Sequence, residues 1–323
     1  MYCRRRIVLL LAVAAVGAAA VLLLGNQGGV RPASPAAATP APLPTTGPAP
    51  LGSTGTAPAP LAVRLDDPAD PLRVHFDHPA RAGLLFDVGS GRVLWRRNAS
   101  RVLPIASLTK MMTALIVADR VPPRGRVRIT PATLRYRGSG VGMLPRGRLI
   151  RVGTMLHGLL LPSGNDAAIA LAQRAAGGSV RRFVRLMNRR AESMGLACTH
   201  YSTPSGLSGA DHSCAGDLAA LARAVLRTPR LARIVRRRSA VLPFPTRGGK
   251  LYLYSTNPML REGYRGISGV KTGYTAAAGR CLVATARRGG IRLGAVLLHS
   301  RDPGRQARRL LDAGFRFARS RAR

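Results

Sequence analysis

Pro104-Ile105-Ala106-Ser107-Leu108-Thr109-Lys110 runs directly into Met111-Met112-Thr113-Ala114-Leu115-Ile116-Val117. The apolar run predicts a helix, and the S-x-x-K spacing places Ser107 and Lys110 on one face of it, about one turn apart. Ser107 then sits in the first turn, where free N–H groups and the helix dipole favour negative charge. A serine hydroxyl becomes a useful nucleophile only when a base takes its proton. A lysine whose pKa is lowered by burial or by a neighbouring cation is such a base. Alone, the spacing is common and equally describes the start of an ordinary helix, so its meaning depends on partners elsewhere in the chain.

The chain has 323 residues and a formal net charge of +38. Of its 51 basic residues only Lys110, Lys250 and Lys271 are lysines. Such charge suits anionic partners: phospholipid, nucleic acid or an anionic wall polymer. A general preference for arginine accounts for most of the ratio. It also sharpens one inference, because arginine is never deprotonated in proteins and a retained lysine is therefore a candidate for proton transfer. Hydrophobic content of 46% is enough for a sizeable core. The four cysteines contain no C-x-x-C pair, which argues against a zinc site. Cys198 and Cys214 could close a small loop through a disulfide worth about 3 kcal/mol, or remain two free thiols; the sequence fits both. Cys281 lies in an apolar run and reads as a core residue.

Arg4-Arg5-Arg6 precedes an apolar stretch from Ile7 to Leu24, about 27 Å long as a helix and near the lower limit for crossing a bilayer. Arginines on its N-terminal side predict export of the chain beyond Leu24. Residues 1–29 are thus a membrane anchor or a cleaved signal, and the product is membrane-held with an extracytoplasmic domain, or secreted. Residues 30–72, rich in Pro and Ala, read as a flexible linker, and residues 73–323 as the folded domain. A hairpin is expected over Ala82–Trp95, short strands at 126–129 and 148–152, helical segments from Thr154 to Gly195, and a helix over Leu218–Leu226 broken at Pro229. Strands return at 250–254, 268–274, 280–286 and 291–298, and a final helix carries Leu310, Leu311, Phe315 and Phe317. This order predicts an α+β domain, a sheet flanked by helices with a mostly helical insertion.

Two further stretches give Ser107 its partners. Leu161-Pro162-Ser163-Gly164-Asn165-Asp166 places a hydroxyl and an amide on a short turn between helices; a helix N-cap would use the same residues. Gly269-Val270-Lys271-Thr272-Gly273-Tyr274-Thr275 is a strand-like segment with a second lysine, in which glycine marks close approach of a ligand or another backbone. An edge strand ending in a turn is the plainer reading. Together the three form the S-x-x-K, S-x-N and K-T-G set of penicillin-recognising serine acyl-transferases.

The chain resembles the serine-type D-alanyl-D-alanine carboxypeptidases, the low-molecular-mass penicillin-binding proteins. Pro104 to Lys110, Ser163 to Ala168, Thr203-Pro204-Ser205-Gly206-Leu207 and Gly269 to Thr275 carry the likeness, which extends over residues 73–317. The resemblance implies a β-lactamase/penicillin-binding-protein-like α+β fold, an antiparallel sheet flanked by helices with a helical subdomain. It implies removal of the terminal D-alanine from peptidoglycan stem peptides, a step in cell-wall biogenesis and cell shape, with β-lactams as inhibitors. In the roles it implies, Ser107 is the nucleophile, Lys110 its base, and Ser163 a proton relay to the leaving amine. Asn165 orients the substrate amide. Lys271, Thr272 and Arg301 receive the terminal carboxylate, and the N–H groups of Ser107 and Tyr274, beside Gly273, form an oxyanion hole. No metal, cofactor or nucleic acid is implied. Tyr274 departs from the histidine many relatives carry after K-T-G, and no second β-rich domain follows Phe317, so membrane attachment would fall to the N-terminus.

The same residues admit two rival functions. A class A β-lactamase needs a glutamate to activate its deacylating water, and the chain offers only Glu192 and Glu262, neither in an E-x-x-L-N setting. A non-catalytic β-lactam- or wall-binding protein would not need an intact pair of lysines. The histidines lack a G-x-S-x-G elbow and read as structural or surface residues.

Overall fold

A computed structural model describes residues 61–66, 70–142, 144–245 and 248–321. The expected N-terminal segment, and the expected linker up to residue 60, lie outside the described residues. Among the described residues no helix is long and apolar enough to cross a membrane.

The chain first makes β1 (Ala82–Asp87) and β2 (Val93–Arg97), then the short β3 (Leu103–Pro104), a tight 3-10 turn at Ala106–Thr109, and α1 (Lys110–Arg120). A mostly helical block follows: β4 (Arg126–Arg128), α2 (Pro131–Leu134), β5 (Leu149–Arg151), α3 (Val152–Leu160), α4 (Asn165–Ala175), α5 (Val180–Ser193), β6 (His212–Ser213), α6 (Ala215–Arg227) and α7 (Pro229–Val235). The chain then forms β7 (Ser239–Pro243), β8 (Lys250–Tyr254), α8 (Pro258–Arg261), β9 (Ile267–Thr275), β10 (Gly279–Arg288), β11 (Ile291–Ser300) and α9 (Pro303–Ser320).

Five strands form one antiparallel sheet in the order β2-β1-β11-β10-β9. Its alternating side chains serve two cores. Leu84, Phe86, Val283, Val296 and Leu298 join the helical block. Leu85, Leu282, Ala295 and Leu297 meet Leu310, Leu311 and Phe315 of α9. α1 is buried on every side from Lys110 to Val117, the state expected of a helix apolar all round, and it packs against α3, α4, α5, α6 and α7. The nucleophile motif therefore lies between the helical block and β9, the edge strand of the sheet.

The structure departs from the sequence expectations in four places. The helix begins at Lys110 rather than Ser107, because β3 pairs with β6 and the Ile105 N–H bonds the Asp211 carbonyl, holding the entry extended until the 3-10 turn. Pro229 ends α6 but opens α7 at its first position, where proline loses no helical hydrogen bond. Lys250–Tyr254 pairs with the unanticipated β7 in a separate hairpin instead of joining the main sheet. Folded chain begins before Arg73: Leu61, Val63 and Leu65 pack on the helical core. There the buried Arg223 donates to the carbonyls of Leu61 and Ala62 at 2.7 Å each, Gly89 at 2.8 Å and Val88 at 3.0 Å. The cysteine alternatives resolve in favour of a Cys198–Cys214 disulfide, with Cα atoms 5.5 Å apart, and Cys281 is free and buried.

Candidate active site

Lys110 is fully buried and makes three contacts: Ser107 Oγ at 2.8 Å, Asn165 Oδ1 at 2.7 Å and the Ser205 carbonyl at 2.6 Å. Burial, and secondarily the charge of Lys271, lowers its pKa well below the usual lysine value, against an opposing pull from Asp166 and Asp211. A neutral amine has two N–H bonds and one lone pair. Asn165 Oδ1 and the Ser205 carbonyl can only accept, so in the neutral form of Lys110 they take its two N–H bonds and leave the lone pair to Ser107 Oγ. In this geometry Lys110 can remove the serine proton without moving.

Two loops hold those acceptors. The 202–211 segment wraps around the buried Asp211 carboxylate, which accepts from the N–H groups of Ser202 and Thr203 at 2.7 and 2.9 Å and from Thr203 Oγ1 at 2.6 Å. Thr113 Oγ1 of α1 donates to the Pro204 carbonyl at 2.7 Å. Gly206, at φ +79°, lies so close to the Ala106 carbonyl that a Cβ there would overlap it. The disulfide joins the ends of the stretch that contains this loop, with Asp217 accepting from Cys198 N at 2.8 Å. The second loop, residues 135–142, is tied to the Ser163 turn. Asn165 Nδ2 donates to the Arg137 carbonyl at 2.6 Å, and the Asp166 carboxylate accepts from Val141 N at 2.9 Å. Asn165, expected to orient the substrate, thus spans from Lys110 to this loop.

Ser163 is not an N-cap; Gly164 occupies that position without a side-chain bond. Ser163 sits at φ +69°, and its buried Oγ has no hydrogen-bond partner among the described residues. Left-handed backbone in a serine costs about 1–3 kcal/mol and persists only where the surroundings over-determine it. The hydroxyl lines a cavity of about 540 Å³ together with Ser107, Ser139, Thr256, Thr272, Gly273, Tyr274, Arg280 and Arg301.

β9 forms the opposite wall. A Cβ on Gly273 would stand 2.9 Å from the Ile105 carbonyl and 3.1 Å from Ser107 N, so the close approach of strand and nucleophile turn requires glycine. Lys271 is buried, its Nζ donates to the Thr272 carbonyl at 2.8 Å, and burial pushes its pKa down to about 7. Thr272 Oγ1 is 2.6 Å from Thr256 Oγ1, and the Thr256 N–H bonds the Leu161 carbonyl at 3.1 Å, linking this strand to the Ser163 turn. Tyr274 is 69% exposed at the rim. The expected set, Ser107, Lys110, Ser163, Asn165, Lys271, Thr272, Gly273, Tyr274 and Arg301, therefore converges on one site. Sequence reasoning missed Thr256, Arg280, Asp211 and the 135–142 loop. None of the six histidines and neither glutamate lines the cavity; Glu262 is ion-paired with Arg308 at 2.6 Å.

Fold and site together define a penicillin-recognising serine acyl-transferase. Within that class, the chain belongs to the D-alanyl-D-alanine carboxypeptidase family Peptidase_S11, whose pattern matches residues 68–302. It is 36% identical over 248 residues to the D-alanyl-D-alanine carboxypeptidase DacB2 of Mycobacterium tuberculosis, covering 74% of this chain and 83% of that one. It is 33% identical to DacF of Bacillus subtilis over 247 residues, covering 74% of this chain but only 62% of the relative's length. Among solved structures it is similar to a D-alanyl-D-alanine carboxypeptidase from M. tuberculosis H37Rv, with TM-score 0.70, 34% identity and 76% and 96% of the two chains covered. A mutant of the Streptomyces K15 DD-transpeptidase gives TM-score 0.70 at 30% identity, covering 75% of this chain and 99% of that one.

Proposed function

We propose that this chain is a serine D-alanyl-D-alanine carboxypeptidase that removes the terminal D-alanine of peptidoglycan stem peptides and is inhibited by β-lactams. Ser107 Oγ bonds to the carbonyl carbon of the penultimate D-alanine while its proton passes to Lys110 Nζ. The C–N bond then breaks, and the proton reaches the departing amine through Ser163, whose unpartnered hydroxyl lies in the same cavity. Water adds to the ester carbonyl as Lys110 takes its proton, and Lys110 returns that proton to Ser107 Oγ as the ester C–O bond breaks, which frees the shortened peptide and restores both residues. The Lys110 contacts carry this reading: two acceptors occupy its N–H bonds and the third neighbour is the nucleophile.

Neither glutamate lines the cavity, which favours slow release of a bound β-lactam and hence inhibition over turnover. Residues 7–24 support a catalytic domain outside the cytoplasm, held at the membrane or secreted. The deciding experiment labels the chain and its Ser107→Ala variant with a fluorescent penicillin and measures D-alanine release from diacetyl-Lys-D-Ala-D-Ala. A Ser107-dependent adduct with D-alanine release is expected. An adduct without release makes the chain a receptor, and no Ser107-dependent adduct discards the assignment.

A further inference from the structure

The β7–β8 hairpin breaks the patterning expected of a half-buried antiparallel sheet, apolar inward and polar outward. Its inward face is ordinary: Ala240 and Leu253 are buried, and Leu242 and Leu251 pack on the helical core. Its outward face carries Ser239, Val241 and Pro243 on one strand and Lys250, Tyr252 and Tyr254 on the other, all exposed. The register sets Val241 directly opposite Tyr252 and Ser239 opposite Tyr254, so Tyr254 is the diagonal neighbour of Val241. Val241 is 54% exposed, Tyr252 57% and Tyr254 67%. Single apolar residues on a surface are ordinary, whereas a contiguous group marks contact with a partner or a membrane.

The charge beside this face is of one sign. Arg236, Arg237 and Arg238, immediately ahead of β7, are exposed, as is Lys250. Among the described residues none of the four pairs with a carboxylate. No Asp or Glu occurs between Asp217 and Glu262, so this stretch of chain offers nothing that repels an anionic surface. A tyrosine has an apolar ring and a polar tip, which suits a boundary that is dry on one side and wet on the other. Tyrosine, valine and proline beside arginine and lysine fit the headgroup layer of an anionic bilayer, where aromatic rings and basic side chains concentrate. An uncharged sugar chain would use the rings and leave the four cations without counter-charge.

We propose that the outward face of the β7–β8 hairpin docks on an anionic phospholipid surface, with Val241, Tyr252 and Tyr254 in the headgroup layer and Arg236, Arg237, Arg238 and Lys250 on the phosphates. The inference goes beyond the carboxypeptidase reading and holds whether or not Ser107 reacts. It gives the folded domain a membrane contact of its own, separate from residues 7–24. Thr256, just beyond the end of β8, lines the catalytic cavity, so docking brings that cavity near the lipid surface.

The test uses the full chain carrying Tyr252→Trp and vesicles whose lipids bear a nitroxide quencher near the headgroups. Wild type, whose only tryptophan is Trp95, sets the baseline. Leu149→Trp, at an exposed apolar residue of β5 near Arg148 and Arg151, controls for basic surface without an aromatic cluster. A face seated about 5–10 Å into the headgroup boundary lies within reach of such a quencher. The Tyr252→Trp chain should be quenched on vesicles of phosphatidylcholine and phosphatidylglycerol in equal parts, much less on phosphatidylcholine alone, and less as salt rises. The Leu149→Trp chain should stay at the baseline. Adding Arg236→Gln, Arg237→Gln and Arg238→Gln to Tyr252→Trp should weaken the contact roughly 100-fold, at about fivefold per basic residue near the surface, and abolish the quenching; an unchanged Tm shows that this variant is folded. The comparison of the two lipids on one variant stands without it. Baseline emission from Tyr252→Trp on anionic vesicles overturns the proposal, and so does equal quenching on both lipids or equal quenching of Leu149→Trp. Retention on insoluble wall glycan that is lost in Tyr252→Ser, with no quenching by vesicles, assigns the face to a sugar polymer and overturns it too. A chain that takes no penicillin and is still quenched overturns the carboxypeptidase reading and supports this one.

Discussion

Replacing Lys271 by methionine should stabilise the protein at neutral pH while sharply lowering its activity. Burial takes the Lys271 pKa from 10.5 to about 7. At about 1.4 kcal/mol per pH unit, and with the folded lysine half charged at pH 7, keeping it buried costs roughly 4 kcal/mol at that pH. Methionine is similar in length and carries no charge, so it removes this cost. It also leaves the Thr272 carbonyl without the Nζ donor, a loss of about 1–3 kcal/mol. The net gain is about 1–3 kcal/mol, or roughly 3–10 °C in Tm for a domain of this size.

The pH dependence separates this cause from general repacking. Between pH about 7 and 10.5 the unfolded chain binds a proton at Lys271 that the folded chain has lost. Wild-type stability therefore rises with pH across that window. The methionine variant lacks this share of the slope, so its advantage should be greatest at pH 7 and below and should disappear by about pH 10. Thermal unfolding of both chains at pH 6, 7, 8.5 and 10 reads the effect directly. A variant less stable than wild type at pH 7, or one whose advantage persists unchanged at pH 10, would refute the argument that Lys271 is held at an energetic cost for function.

The same geometry leads to three further outcomes. Penicillin acylation should accelerate as pH rises and Lys110 loses its proton; residual acylation in Lys271→Met should need a higher pH, because a neighbouring charge that lowers the Lys110 pKa is gone. Gly206→Ala should slow acylation at least 100-fold, since its Cβ overlaps the Ala106 carbonyl beside the nucleophile; an acylation rate within 3-fold of wild type would show that the loop can retreat at no cost to the site. Replacing Cys198 and Cys214 by serine should cost about 3 kcal/mol, and reductant should lower the Tm of wild type but not of the variant.

Sequence patterns exposed the parts of this site that depend on side-chain identity. Ser107, Lys110, Ser163 and Lys271 each lie in a short pattern whose chemistry is legible, and apolar alternation marked β9, β10 and β11. Backbone contributions were hidden. The Ser205 and Arg137 carbonyls hold Lys110 and Asn165, yet any residue type supplies a carbonyl. Asp211 organises the 202–211 loop from the interior, and a lone aspartate leaves no local signature of the three donors that will surround it. β7 escaped because Ser239-Ala240-Val241-Leu242-Pro243 is short and ends in proline, as only an edge or hairpin strand can. The 3-10 turn under Ser107 is imposed by strand pairing and by Asp211, both distant in sequence.

Arg280 was hidden for a different reason: one arginine among so many carries no contrast. The same abundance made the lysines stand out, and the structure explains the division. Lys110 and Lys271 are the two positions where the site encloses an amine and depresses its pKa. At Lys110 the proton must leave, because a permanently charged group cannot take one from Ser107. At Lys271 the flexible stem folds its amine back to its own strand's carbonyl within a closed space, where the rigid, always charged arginine fork would be both larger and costlier to bury. Arg280 and Arg301 stand at the open side, where a charge that never varies is an advantage.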